Sequence, residues 1–300
     1  MVGFAQTTIS KLQQWYDHIA PKMPEQITVR NTLIFCVFAL LCIGSIMVAS
    51  ASMPYADRLH ENPFHYVIRH GISIVVAAVA ALIAYRVPIE MWFKNSFPIW
   101  IATILLLAAV LVVGTEVNGS TRWIRIGGFT LQATEVAKVA MAIFTADYVV
   151  RRSQEVRNKF SALVRLGIVM LLTVGLIIKE PDLGATVVIA LMMLGIFFLA
   201  GAPIIQFIIA FVAILIAFGA LIVFEPYRFE RLMSFTNPWD DQLGVGYHLS
   251  NSLMAFGRGE FFGVGLGHSM QKMSYLPEAH TDFMLAIYAE EFGFFGFAIL

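Results

Sequence analysis

Residues 33–52 read LIFCVFALLCIGSIMVASAS, a run with no charged side chain. A bilayer core is crossed by a helix of about 20 predominantly apolar residues, and this run meets that requirement. Six further stretches of the same kind follow, at about 67–87, 97–113, 131–150, 163–178, 183–200 and 204–224. An eighth begins near Asp282 and runs to Leu300. The pattern predicts an all-α fold, a polytopic transmembrane helical bundle. The stretch at 131–150 is interrupted by Glu135, Lys138 and Asp147. Lys138 follows Glu135 by three positions, so the two can pair on one helix face. Such a helix is expected to face the protein interior more than lipid.

Composition agrees. Apolar residues make up 59% of the 300 positions and charged residues 13%, against about 25% charged in ordinary soluble domains. The mean hydropathy is +0.77. These values exclude a disordered chain, a coiled coil, a disulfide scaffold and a nucleic-acid binder, and they argue against a soluble globular enzyme. Cys36 and Cys42 lie six apart in one apolar run, on different helix faces, and predict no disulfide. Residues 1–32 are polar and carry no signal-peptide pattern; Ile9, Leu12, Trp15, Tyr16 and Ile19 form a weak amphipathic stretch. The apolar end GFFGFAIL predicts that the natural chain runs on past Leu300.

The 20 basic and 20 acidic residues cancel, but their placement sets an orientation. Basic residues in short loops mark the cytoplasmic side. Lys11, Lys22, Arg30, Arg86, Lys94, Arg151, Arg152, Arg157, Lys159 and Arg165 share one side, and RRSQEVRNK after the fourth stretch is the strongest vote. The N-terminus is therefore expected to be cytoplasmic. The organisation predicted is a cytoplasmic extension at 1–32, a seven-span bundle at 33–224, a large outward loop at 225–281 and the start of an eighth span at 282–300.

Charges at membrane depth are costly and mark candidate sites. Three clusters lie on the outward side. The first is NGSTRWIR at 118–125, followed by Gly127, Gly128, Gln132, Glu135 and Lys138. The second is KEPDLG at 179–184. The third is YLPEAHTDF at 275–283. Clusters converging on one side of a bundle are expected to line one cavity. Each also has a plainer reading. Arg122 and Trp123 suit an interfacial anchor, Pro181 and Asp182 a turn, and Asp282 a helix N-cap. Glu290 and Glu291, about two turns beyond Asp282, read as a polar face continuing down the helix. The glycine-rich run at 257–267 lacks the βα context of a nucleotide fingerprint, and His248, His268 and His280 are spaced too loosely for a zinc site. No broken helix or inverted repeat is legible, which weakens a generic solute transporter.

The motifs PEAHTDF at 277–283, EPDLG at 180–184 and NGSTRWI at 118–124 occur in an order and spacing that resembles the SEDS family of peptidoglycan polymerases (shape, elongation, division and sporulation). The pattern GVGYHLSNSL at 244–253 and GVGLGHSMQK at 263–272 resembles its cell-division branch more than its rod-shape branch. The likeness covers nearly everything after residue 30. One departure is QATEVAK at 132–138, where the family reads QPSELAK or similar: the proline is missing, while Gln132, Glu135 and Lys138 keep their places. The family has about ten spans, of which this chain supplies about eight.

The resemblance implies glycosyl transfer. Lipid II would be polymerised into β-1,4-linked glycan at the division septum, on the periplasmic face of the bacterial inner membrane, with release of undecaprenyl pyrophosphate. By match to the family's essential aspartate, Asp282 would be the catalytic base. Arg122, Lys138, Arg258 and Lys272 are the candidate cations for the pyrophosphate, with Glu135 setting Lys138. Glu278 and His280 would position the loop or substrate. Glu180 and Asp182 would orient the acceptor sugar or hold a divalent ion, Mg2+ or Mn2+, the one cofactor left open. The expected partners are the class B penicillin-binding transpeptidase FtsI and the regulators FtsQ, FtsL, FtsB and FtsN. A lipid II flippase and a non-catalytic division scaffold are the alternative readings.

Overall fold

A computed structural model describes residues 29–117, 120–126, 129–273 and 275–300. The amphipathic stretch and most of the N-terminal extension therefore lie outside the described residues, as do Asn118, Gly119, Gly127 and Gly128. The helices are α1 (Val29–His60), α2 (His65–Arg86), α3 (Ile89–Lys94) and α4 (Ser96–Val113). After a small sheet come α5 (Ala133–Arg151), α6 (Ser153–Asn158), α7 (Phe160–Lys179), α8 (Leu183–Leu199) and α9 (Ile204–Val223). The remainder holds α10 (Pro226–Ser234), α11 (Tyr247–Gly259) and α12 (Met284–Ile299).

Among the described residues, five helices are long and apolar enough to cross a membrane: Asn31–His60, His65–Arg86, Ser96–Val113, Phe160–Lys179 and Ile204–Val223. Leu183–Leu199 is equally apolar but shorter. The chain is thus a multi-pass membrane protein. Its long apolar faces stay exposed on α1, α2 and α9, as expected where lipid rather than water is the solvent.

The stretch at 131–150 begins differently from the sequence expectation. Leu131 and Gln132 belong to a strand, and the helix starts at Ala133. Strands β1 (Thr115–Val117), β2 (Ser120–Ile126) and β3 (Phe129–Gln132) form an antiparallel sheet in that order. Trp123 pairs with Gln132 and Ile124 with Leu131. The residues separating the strands are Asn-Gly and Gly-Gly, the pairs favoured in two-residue hairpin loops. That was the legible signal for a sheet inside an otherwise helical chain.

The chain divides into two compact units, Val79–Glu230 and Met1–Ala78 with Arg231–Leu300. In the first, Leu107 and Val110 of α4, Ala133, Ala137 and Met141 of α5, and Ile189, Met193 and Phe197 of α8 make the core. Alanines at 133 and 137, one helical turn apart, let neighbouring backbones approach closely, which is how helices associate where lipid removes the hydrophobic drive. Some of the polar groups buried here are matched by partners on other helices. Trp100 Nε1 donates to Thr173 Oγ1 at 3.0 Å. Asp147 accepts from Ser96 Oγ at 2.5 Å and Arg151 Nε at 2.5 Å. The helix with three interrupting charges therefore does turn its Asp147 inward.

In the second unit the core joins Met47 and Ala51 of α1, Ala255 of α11, Leu276 and Ala279 of the loop, and Ala286, Ile287 and Tyr288 of α12. Helix α12 is not continuous. Gly293 adopts φ 68°, ψ −170°, a break that the sequence reading did not expect. A left-handed φ carries little cost at glycine. The break frees two helical carbonyls and two amides, and the segment after α11 meets all four. Val264 N donates to Glu290 O at 3.0 Å and Gly265 N to Glu291 O at 3.0 Å; Phe294 N donates to Glu260 O at 2.9 Å and Phe295 N to Phe261 O at 3.1 Å. A Cβ at Gly259 would overlap the Ala289 carbonyl, and one at Gly263 the Glu291 carbonyl. Glycine is required for that approach.

Candidate functional site

The unit Val79–Glu230 holds two of the three polar clusters, and they meet. Arg122, on β2, donates Nε to Glu180 O at 3.0 Å and Nη2 to Pro181 O at 2.6 Å. It thereby clamps the turn between α7 and α8. Asp182 is the N-cap of α8: its Oδ1 accepts from Ala185 N at 3.0 Å. Its Oδ2 accepts from Gln132 Nε2 and Thr134 Oγ1, both at 3.2 Å. One carboxylate therefore starts α8 and ties it to the start of α5. Glu180 contrasts with it. Its carboxyl is fully buried and neither oxygen has a hydrogen-bond partner among the described residues. Burial, then the nearby Asp182 charge, push it up to about 7, with Arg122 opposing. Lys138 Nζ meets Glu135 Oε1 at 2.7 Å, the pair expected from their spacing, with Glu135 the more exposed.

The same unit contains an apolar cavity of about 300 Å³ between α7, α8 and α9, lined by Leu163, Met170, Met193 and Ile209 among others. A second, of about 500 Å³, shares Met170, Leu171, Ala190, Ile214 and Ala217 with it and reaches Glu225 and Arg228. Together they form a groove whose walls are almost wholly hydrocarbon.

The other unit carries the third cluster. Residues 278–283 form a tight turn. Glu278, at φ 53°, accepts at its backbone oxygen from Thr281 N at 3.1 Å and Phe283 N at 3.2 Å. Its carboxylate accepts from Thr281 Oγ1 at 2.7 Å. His280 is stacked on Tyr55 of α1, with ring centroids 5.1 Å apart, and lies 4.9 Å from the Tyr66 ring of α2. Burial lowers its pKa, with the Glu278 charge opposing. Asp282 is exposed. The N-cap of α12 is Phe283 and no side chain caps it, so Asp282 does not serve as the cap. No hydrogen bond to its carboxylate comes from the described residues.

Lys272 is placed differently from a cation waiting for a substrate. Lys272 is buried, with Nζ 2.6 Å from Glu291 Oε1 and 2.9 Å from Ser50 Oγ. Arg258 keeps its outer part exposed but reaches Glu290 Oε1 at 3.3 Å. The spacing of Glu290 and Glu291 from Asp282 predicts a polar face continuing down the helix. They are instead among the most deeply buried side chains in the chain. Their helical spacing from Asp282 was legible; their partners were not. Among the described residues, no group of three or more His, Cys, Asp or Glu side chains is arranged to hold a metal ion.

Comparison with known proteins places these motifs. The family model described as cell cycle protein, covering FtsW, RodA and SpoVE, matches residues 31–300. The chain belongs to the FtsW/RodA/SpoVE family. It is 69% identical to the probable peptidoglycan glycosyltransferase FtsW of Acinetobacter baylyi, over 100% of this chain and 75% of that protein. It is 48% identical to the protein of that name from Alteromonas naphthalenivorans, over 88% of this chain and 51% of the relative. The chain thus spans about half to three quarters of the length of these relatives. Among solved structures it resembles a chain of a peptidoglycan synthase complex, with TM-score 0.66 and 24% identity over 89% of this chain and 72% of the other. The crystal structure of the rod shape determining protein RodA of Thermus thermophilus matches with TM-score 0.61 and 22% identity, over 92% of this chain and 71% of that one. At that identity the FtsW/RodA/SpoVE likeness to solved structures concerns the fold.

Proposed function

We propose that this chain is a peptidoglycan glycosyltransferase that polymerises lipid II into β-1,4-linked glycan at the division septum, releasing undecaprenyl pyrophosphate. The observation that carries the reading is the state of Asp282. It is an exposed carboxylate without a hydrogen bond from the described residues, at the end of an ordered turn, while its unit's Glu290 and Glu291 are buried and bonded. A general base must be open to its substrate and within hydrogen-bond reach of the proton it takes. The N-acetylglucosamine 4-hydroxyl oxygen attacks the anomeric carbon of N-acetylmuramic acid and its proton passes to Asp282. The bond from that carbon to the pyrophosphate oxygen breaks, and the pyrophosphate leaves with the electron pair.

The leaving group needs cationic stabilisation, which this reading assigns to Arg122, Lys138 and the exposed part of Arg258. Glu135 orients Lys138. Glu278 and His280 shape the turn that presents Asp282, and Asp182 with Glu180 shapes the turn on which Arg122 is fixed. The hydrocarbon groove between α7, α8 and α9 suits an isoprenoid tail. The names of the relatives support the reaction. The basic residues of the short loops support an N-terminus in the cytoplasm of the inner membrane and a site facing the periplasm. By the family resemblance, this reading takes a class B penicillin-binding transpeptidase, FtsI, as partner, with FtsQ, FtsL, FtsB and FtsN as regulators.

The test is Asp282→Asn, which keeps shape and removes the base. Reconstituted with its partner and labelled lipid II, the variant is expected to lose at least about 100-fold in polymer formation while melting like the wild type. Undiminished polymer overturns the assignment. The helix break at Gly293 favours a second reading, since discontinuous helices occur in transporters. Polymer formed in detergent, with no second compartment, separates a polymerase from a lipid II flippase.

A further inference from the structure

Asp282 belongs to the described residues 275–283, and the chain on either side of them is held by the same helix. One side runs directly into α12 at Met284. The other side, residues 269–272, is bound to Glu290 and Glu291 of that helix, about 9 Å further along its axis at ~1.5 Å per residue. Glu290 Oε2 accepts from Ser269 Oγ at 2.5 Å and Gln271 N at 3.3 Å. Its Oε1 accepts from Met270 N at 3.0 Å and Arg258 Nη1 at 3.3 Å. Glu291 Oε1 accepts from Lys272 Nζ at 2.6 Å and Ser50 Oγ at 2.8 Å, and Oε2 accepts from Ser50 Oγ at 2.9 Å. Four consecutive loop residues are thus engaged by two adjacent glutamates. The backbone carbonyls of the same glutamates, freed by the Gly293 break, take Val264 N and Gly265 N.

Two carboxylates at 0% and 1% exposure form an expensive way to fill a core. A buried ion pair rarely adds net stability over apolar residues of the same volume. What it does supply is direction: each donor must meet its oxygen within a few tenths of an ångström, whereas apolar contacts allow sliding. Between the two anchored ends, Leu276 and Ala279 enter the core and Tyr275 O accepts from Tyr247 Oη at 2.7 Å. The span leading to Asp282 therefore has little freedom once residues 269–272 are fixed.

We infer that Glu290 and Glu291, with Lys272 and Ser269, are positioning residues for Asp282: they fasten the loop that presents the base, and Lys272 serves this fastening rather than the pyrophosphate. This rests on the proposed glycosyltransferase reading. Misplacing a reacting group by about 1 Å costs on the order of 100-fold in rate.

The experiment measures kcat and KM for lipid II with wild type, Lys272→Met, Lys272→Arg and Ser50→Ala, each in complex with its partner and checked by thermal melting. Lys272→Met is expected to lower kcat by roughly 10- to 100-fold with KM within about twofold, and Lys272→Arg to keep most of the rate by preserving the contact with Glu291. If Lys272→Met does not fold, Ser50→Ala decides, with a smaller kcat loss expected at unchanged KM. A raised KM at unchanged kcat returns Lys272 to substrate binding and overturns the inference. So does activity that falls only with the folded fraction. Folded wild type that makes no glycan overturns the glycosyltransferase reading and this inference with it; active wild type beside indifferent variants overturns the inference alone.

Discussion

Glu180 and Glu290 are both at 0% exposure, yet they are opposites in what surrounds them. Glu290 meets a hydroxyl, two amides and a guanidinium. Glu180 meets no hydrogen-bond donor among the described residues, and the one guanidinium nearby, Arg122, is turned to the backbone oxygens of the turn instead. Both carboxyls are removed from solvent, and they differ in the supply of hydrogen-bond donors. In one unit a glutamate fastens a loop. In the other it is a group whose proton follows pH.

The largest expected effect falls on the fastened side. Glu290→Ala leaves Ser269 and two loop amides without their acceptor, while the half-exposed Arg258 turns to solvent; a stranded buried donor costs about 1–3 kcal/mol, read as loss of unfolding free energy in detergent. Glu180→Ala leaves no donor unpaired and is expected to cost clearly less. Equal losses would erase the contrast.

Asp182→Ala comes next. It removes the cap of α8 and leaves Gln132 and Thr134 without their shared acceptor, so about 1–2 kcal/mol is expected. A change near zero in melting temperature would mean that the turn is held by Arg122 alone.

Glu180→Gln sharpens the contrast through pH. The folded-state pKa, about 7, lies above the ordinary 4.5. The folded protein therefore holds a proton that the unfolded chain releases. That contribution is full below about pH 4.5 and is lost as pH rises through about 7. Melting temperature against pH should fall across this window in the wild type and lose that component in Glu180→Gln. The same slope in both proteins would place the titration elsewhere.

The smallest effect is at the exposed pair. Glu135→Ala should change stability by less than about 0.5 kcal/mol, while slowing lipid II polymerisation if Lys138 faces the pyrophosphate. An unchanged rate would leave the pair a solvated surface feature.

The membrane helices were legible because an uncharged run such as 33–52 has only one economical place, and its length is a local property of the chain. The Glu135–Lys138 pair was legible for the same reason, since helical geometry alone brings those side chains together. The strands Thr115–Val117, Ser120–Ile126 and Phe129–Gln132 are harder to read, because the apolar content around Leu131 suits a helix as well as a strand, although Asn-Gly and Gly-Gly stand between them in the sequence. The break at Gly293 was illegible: one glycine in an apolar run is common, and its backbone becomes left-handed only because residues 260–265 supply the missing partners.

From the order of residues alone came the class of fold and the motif that ends in Asp282. Both depend on runs and short spacings, which the chain's own stereochemistry fixes. Which acidic residues are bonded and which stand alone was settled by three-dimensional packing. Ser50 and Glu291 lie 241 positions apart, and no periodicity reports such a distance. The fate of a buried carboxyl depends on donors brought from elsewhere, and folding alone delivers them.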